Sequence, residues 1–249
     1  MSRARVQRTM LAGWALTAPR WLLAIDLALI VFNALTDSGM ALLNLEQEAN
    51  VPTWYSSGKL LVLSVLSLVF AAAAGDARRP GPVALWGMTA ALFLGLSMDE
   101  TATLHEHAAR WVMQGEWGAL VRDAVLGGDA MKDAFAWVVL FAPLIAAIWY
   151  FLFTFLRQEF RDDRQEWRWV MVGLGLLAVS LLLETAVYRM PAVAEWSSGV
   201  LARYRAVAFW EEAAEVIACS CLLVAFFRKF SYWLVGRARA VGGRRVRRA

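Results

Sequence analysis

The sequence predicts an all-α protein, a polytopic membrane helix bundle of about six transmembrane helices with both termini cytoplasmic. Three observations carry this. The chain is 60% hydrophobic with a mean hydropathy of +0.50, whereas an ordinary soluble domain is about 45–50% apolar. Six apolar runs are long enough, or nearly so, to cross about 30 Å of hydrocarbon. Lys and Arg collect on alternate connections between those runs, as the positive-inside rule requires. Thirteen tryptophans fit the same picture, since Trp concentrates at both membrane interfaces.

Residues 1–20 carry Arg3, Arg5 and Arg8 ahead of a short apolar patch ending at Pro19. Arg20 is followed directly by a longer apolar run, so the segment reads as a cytoplasmic lead-in rather than a signal peptide. The transmembrane domain occupies 21–230. Its expected spans are Trp21–Leu43, Leu60–Gly75, Val83–His105, Phe135–Leu156, Trp169–Tyr188 and Ala206–Phe230. The second is short and borrows residues from Ser56–Lys59. The turn Asp76–Pro82 makes the second and third spans antiparallel neighbours. Gln114–Asp133 is polar, includes Gly127-Gly128, and has room for a short surface helix. Pro143 lies inside the fourth span, where a kink is the ordinary consequence. Residues 231–249 form a basic cytoplasmic tail, expected to be disordered from Arg237 onward.

Charge sets the orientation. The lead-in, the 76–82 and 157–168 loops and the C-terminal segment together hold 18 Lys/Arg, and the opposite side holds 7, among them Lys59 and Arg110. The first set is therefore cytoplasmic. The net charge of +4 then reflects orientation and attraction of the tail to anionic headgroups, and no nucleic-acid partner is expected. Cys219 and Cys221 sit two apart in an apolar run, on different sides of a helix. That excludes a disulfide framework or a four-Cys metal site and makes them buried small residues.

The stretch Ser97–His107 places three carboxylates and both histidines of the chain at the end of an apolar helix, where ionisable groups are expensive and point to function by default. At about 100° per residue, Asp99, Thr103, Glu106 and Arg110 form one stripe with Glu100 and His107 on its shoulder, while His105 points elsewhere. The bland alternative is a frayed helix end meeting water and headgroups.

Orientation turns scattered acids into a layer. At about 1.5 Å per residue, Asp37 and Asp99 lie roughly 24 Å along the first and third helices from the cytoplasmic side, and Glu184 roughly 22 Å along the fifth. Glu211 and Glu215 lie roughly 8 and 14 Å below the outer boundary on the sixth. In the inner half only Asp26 is comparable. Asp26, Asn33, Asp37, Asn44 and Glu48 repeat at intervals of 7, 4, 7 and 4, so that face of the first helix should meet protein or water. Ser180, Glu184 and Tyr188 share a face, and Glu211, Glu212 and Glu215 span an arc of about 100°. Arg110, Arg189, Arg203 and Arg205 are too few to neutralise the layer by pairing.

The pattern Ser97-x-Asp99-Glu100-x4-His105-Glu106, with Pro52-Thr53-Trp54-Tyr55-Ser56-Ser57 before it, resembles a family of uncharacterised bacterial multi-pass membrane proteins. The resemblance implies a bacterial inner-membrane location and favours His105 over the His107 that the helical wheel favours; a bend near Thr101–Thr103 would reconcile the two. The Ser/Asp/His content is also similar to that of membrane metallohydrolases related to alkaline ceramidases. Those enzymes bind zinc with three histidines, and this chain has two.

The candidate metal ligands are thus Asp99, Glu100, His105, Glu106, His107, Glu184, Glu211 and Glu215. Carboxylates with one or two histidines suit Zn, Fe or Mn, whereas Mg and Ca would use oxygen ligands alone. The Glu-x-x-His element of di-iron bundles is absent. The expectation is a divalent-metal site open to the periplasm, with hydrolysis or oxidation of a lipid or other membrane-phase substrate as the chemistry it would support. A proton- or cation-coupled carrier or channel, and an accessory subunit of a membrane complex, are the alternatives. Whether the chain is an enzyme stays open at this point, as does the identity of any catalytic residue.

Overall fold

The computed structural model describes residues 3–36, 50–76, 80–125, 136–186, 190 and 197–246, with side chains except at 3–12, 14–16, 18–19, 76, 125 and 236–246. Every regular element among them is helical: α1 (Arg3–Thr36), α2 (Val51–Asp76), α3 (Pro80–Ala102), α4 (Leu104–Met113), α5 (Glu116–Val125), α6 (Trp137–Leu140), α7 (Ala142–Phe160), α8 (Arg164–Ala186) and α9 (Ser198–Val246). Among the described residues, three helices are long and apolar enough to cross a membrane: Val51–Gly75, Pro80–Ala102 and Arg164–Ala186. Asp37, Asn44, Glu48, Gly127-Gly128, Tyr188 and Arg189 lie outside the described residues.

Helix boundaries depart from the hydropathy pattern for identifiable reasons. The second span starts at Val51, not Leu60, because the polar residues before Leu60 are buried against other helices. Asn50 caps α2: its Oδ1 accepts from the Thr53 N–H (3.2 Å) and the Thr53 hydroxyl (3.1 Å). The third span stops at Ala102, short of His105. The fourth is divided at Phe141 (φ −100°, ψ 10°) into α6 and α7. Pro143 falls in the first turn of α7, where its missing N–H removes no helical bond, so the chain breaks before the proline instead of kinking at it. The lead-in is continuous with α1. The Arg-rich segment expected to be disordered is helical to Val246, consistent with the high helix propensity of Arg and Ala.

Bonds at one end and midway along fix α2 and α3 as antiparallel neighbours. Ser57 Oγ donates to Ser97 O (2.8 Å), Ser97 Oγ donates to Ser57 O (2.9 Å), and Ser64 Oγ donates to Ala90 O (2.8 Å). The two stretches that carry the family resemblance are therefore joined face to face. Helix α9 packs along α8, α1 and α2. It approaches α8 closely at Gly173, where an added Cβ would stand 2.8 Å from Leu222 Cγ and 3.0 Å from Ala218 O. Four helices meet at Trp86 of α3, whose ring lies 4.8 Å from Phe70, 4.9 Å from Phe155 and 5.8 Å from Phe226. The contacts with Phe155 and Phe226 are edge-to-face, and aromatic pairs of this kind add about 0.5–1.5 kcal/mol each beyond area burial. Asp26 and Asn33 of the α1 polar stripe are buried, while Trp21, Leu27 and Leu35 on other faces are exposed.

Asp163 caps α8. Its Oδ1 accepts from the backbone N–H of Gln165 (2.7 Å) and Glu166 (3.1 Å), and Arg228 lies 3.5 Å from Oδ2. Partial burial alone would raise its pKa; the two N–H bonds and the Arg228 charge outweigh that and hold it below the usual Asp value. The depressed value makes this contribution complete above the unfolded pKa and lost as pH falls through the folded one. Asp163→Ala should therefore cost about 1 kcal/mol at neutral pH. The gap between the two proteins' thermal melts should close under acid conditions, and a gap independent of pH would argue against the cap.

Candidate functional site

The site is built on a break between α3 and α4. Thr103 adopts the left-handed region (φ 46°, ψ 43°), which a β-branched residue rarely visits. Such strain is of the order of 1–3 kcal/mol and is held by local bonds. The Thr103 N–H donates to Asp99 O (2.7 Å), and His107 Nδ1 donates to Thr103 O (2.9 Å) with Thr103 Oγ1 at 3.0 Å. His107, itself exposed, is thus engaged by the break.

The break brings His105 onto Asp99. Six residues along an unbroken helix would set the two about 120° apart. Here one carboxylate takes both donors of His105: the backbone N–H to Oδ1 and the ring Nδ1–H to Oδ2, each at 2.8 Å. That arrangement fixes the tautomer and leaves Nε2 as the ring's remaining ligand atom. His105 follows the end of the α3 span. Burial lowers its pKa, but the Asp99 hydrogen bond and charge, with Glu184 and Glu106 behind, hold it above the ordinary histidine value.

The other acids arrive from α8 and α9. The His105 and Trp137 rings lie 4.6 Å apart, and Trp137 Nε1 donates to Glu184 Oε1 at 3.1 Å. The Glu211 carboxyl lies beside Glu184 in turn. Ser180 Oγ donates to Glu215 Oε1 at 2.5 Å, and Glu215 lies within the electrostatic reach of Glu184, His105 and Asp99. One ligand oxygen each from Glu100, Glu212 and Glu215 lie within 4.8 Å of one another. Glu212 and Glu215 are three apart, so α9 presents them on one face. Helices α3 and α9 also meet through long side chains deeper in the bundle, with the Phe93 and Phe226 rings 5.8 Å apart.

Six of the expected ligands, Asp99, Glu100, His105, Glu184, Glu211 and Glu215, therefore converge at one end of the bundle. Glu106 instead pairs with Arg110 at 2.5 Å, and His107 faces away. Glu212 belongs to the group although the expected ligand set omits it; its i, i+3 relation to Glu215 is the signal. Trp137 and Ser180 orient Glu184 and Glu215, roles no local pattern reveals.

A second polar unit lies deeper, between α1, α2 and α9. The Lys59 ammonium is buried, 3.2 Å from Asp26 Oδ1, 2.7 Å from Val216 O and 3.4 Å from Ser220 Oγ, with the Tyr55 ring centroid at 4.3 Å. Asp26 Oδ2 is buried and accepts no hydrogen bond among the described residues. Buried Cys219 lies within electrostatic reach of Lys59, Asp26, Glu100 and Glu215, so it stands between the two polar units.

No curated protein and no solved structure is significantly similar to this chain. The profile of DUF8692, a domain of unknown function, matches residues 10–230. That range takes in the paired α2–α3 stretches, the broken α3–α4 helix and the acids of α8 and α9, and the chain belongs to the DUF8692 family.

Proposed function

We propose that this is a bacterial inner-membrane protein with six spans and both ends cytoplasmic, which binds a divalent metal near the periplasmic face. The observation that carries the reading is the meeting of Glu100, Glu212 and Glu215 oxygens within 4.8 Å, next to the Asp99–His105 pair. Three oxygens that close in a largely apolar setting repel one another strongly when ionised, and a divalent cation removes that repulsion. His105 supplies a nitrogen, which suits Zn, Fe or Mn better than Mg or Ca. A carboxylate holding the far nitrogen of a ligating imidazole is the usual outer-shell partner of such sites. The reaction class this supports is hydrolysis or oxidation of a membrane-phase substrate, with the metal activating water or oxygen. Elemental analysis of the purified protein tests it: about one Zn, Fe or Mn per chain is expected, and metal-free protein that retains native stability would remove the proposal.

The orientation rests on the same 18-to-7 charge bias. Alkaline phosphatase fused after Gly118 should be active, and fused after Arg161 inactive. The reverse pattern would place the acids at the cytoplasmic face. The buried Lys59–Asp26 pair favours a second reading, a proton- or cation-coupled carrier, because it continues the polar groups inward from the layer. In that case pH, and not metal supply, would govern the protein's stability and activity.

A further inference from the structure

At the end of the bundle opposite the carboxylate site, a cavity of about 520 Å³ opens between the ends of α2 and α7, the starts of α3 and α8, and α9. Along α3, Trp86 in its wall is about 20 Å from Asp99, so the two sites do not share a ligand. Trp86, Tyr232 and Trp233 give it an aromatic lining, and Glu159, Asp163 and Glu166 give it acids. Two of those acids have cations: Lys229 lies 3.2 Å from Glu159, and Arg228 lies 3.5 Å from Asp163. Glu166 is different. It is 4% exposed, its Oε1 is buried and accepts no hydrogen bond, and among the described residues Lys229 and Arg228 act on it only from beyond ion-pair distance.

We propose that this cavity binds a primary ammonium group, with Glu166 Oε1 accepting its N–H and the aromatic rings packing on its charge. A buried carboxylate oxygen without a donor is costly, and an ammonium supplies both the donor and the opposite charge. Tryptophan and tyrosine faces attract cations, most strongly when desolvated. A quaternary ammonium would satisfy the rings but leave Oε1 without a donor, so the primary amine is selected. Lys229 lines the same cavity, its ammonium held by Glu159 Oε2 at 3.2 Å and Glu159 O at 2.6 Å. A cavity at the mouth of a membrane bundle can draw such a group from the lipid phosphatidylethanolamine or from a soluble amine.

The test uses the full chain in detergent, titrated with short-chain phosphatidylethanolamine, short-chain phosphatidylcholine, or free phosphoethanolamine, and read by thermal melting. The phosphatidylethanolamine should raise Tm by about 5 °C near saturation, and phosphatidylcholine should not. An equal rise with free phosphoethanolamine would support the ammonium site and assign it a soluble source. Glu166→Gln should weaken the response at least about tenfold, the loss expected when a charge-assisted bond becomes a neutral one. Ala73→Leu, which fills the cavity wall without touching a charge, should abolish the response. It decides the matter if Glu166→Gln does not fold. An equal response to phosphatidylcholine, no response to either amine, or an unchanged response in Ala73→Leu would each overturn the proposal.

Discussion

Replacing Lys59 with Met should lower the melting temperature by about 10 °C. Removing one partner of a buried ion pair costs about 3–5 kcal/mol, and for a chain of this size each kcal/mol corresponds to about 2–4 °C. The loss is that large because two acceptors, Asp26 and Val216 O, lose the same ammonium. Asp26 keeps a charge with no cation, its second oxygen already lacks a donor, and Val216 O loses its 2.7 Å contact. The companion Asp26→Leu/Lys59→Met protein should recover most of the stability, since a buried pair replaced as a unit by apolar side chains is often neutral or better. A thermal-melt double-mutant cycle gives the coupling directly. If Lys59→Met melts within about 1 °C of wild type, the pair does not hold α1, α2 and α9 together. Proton or cation movement by the stable double variant then separates the two functional readings. Retained metal and activity would make the pair a structural tie, whereas retained metal with lost proton or cation movement would make it part of a relay.

The second large effect is expected from Glu215→Gln. The substitution preserves size and the Ser180 contact but removes the charge from the acid that also groups with Glu100 and Glu212. Chelator should lower the melting temperature of wild type by several degrees, because a ligand bound only to the folded state stabilises it by mass action. The same chelator should leave Glu215→Gln unchanged, and the variant should copurify with at most about a tenth of the wild-type metal. Equal chelator sensitivity in the two proteins would place the metal elsewhere. His105→Ala should behave like Glu215→Gln. His107→Ala should keep its metal and lose stability modestly, since that ring holds the Thr103 carbonyl rather than facing the acids.

Much of this arrangement was legible because membrane burial of charge is so unfavourable. Asp99, Glu100, Glu184, Glu211 and Glu215 share a depth when residues are counted along each helix, and the bundle brings them together. Two features were not legible. The choice between His105 and His107 turns on the left-handed conformation of Thr103, and threonine carries no preference for that region, so an unbroken helix assigns the wrong face. Lys59 reads only as the borrowed end of a short span, because Val51–Lys59 is too polar for hydropathy to extend the span to Val51. Its polar residues are instead consumed by specific partners: Ser57 by Ser97, Tyr55 by the Leu22 carbonyl at 3.2 Å, and Lys59 by Asp26. Hydropathy averages over a window and cannot distinguish water from a neighbouring helix as the source of those partners. The division at Phe141 was half legible, since Pro143 announces an interruption but not on which side of it the chain breaks.

The turn at Thr103 also makes this part of the chain sensitive to length in a way that side-chain chemistry does not convey. Conservative exchanges at Leu104 or Ala108 alter packing while leaving the His105–Asp99 bond in register. A single residue inserted between Ala102 and Leu104 would lengthen the non-helical break and change where α4 starts relative to α3, carrying His105 off the carboxylate with every original side chain still present. The distance in sequence from Asp99 to His105 is therefore a measurement taken around a corner, and adding or removing one residue there would undo the site as thoroughly as deleting the imidazole.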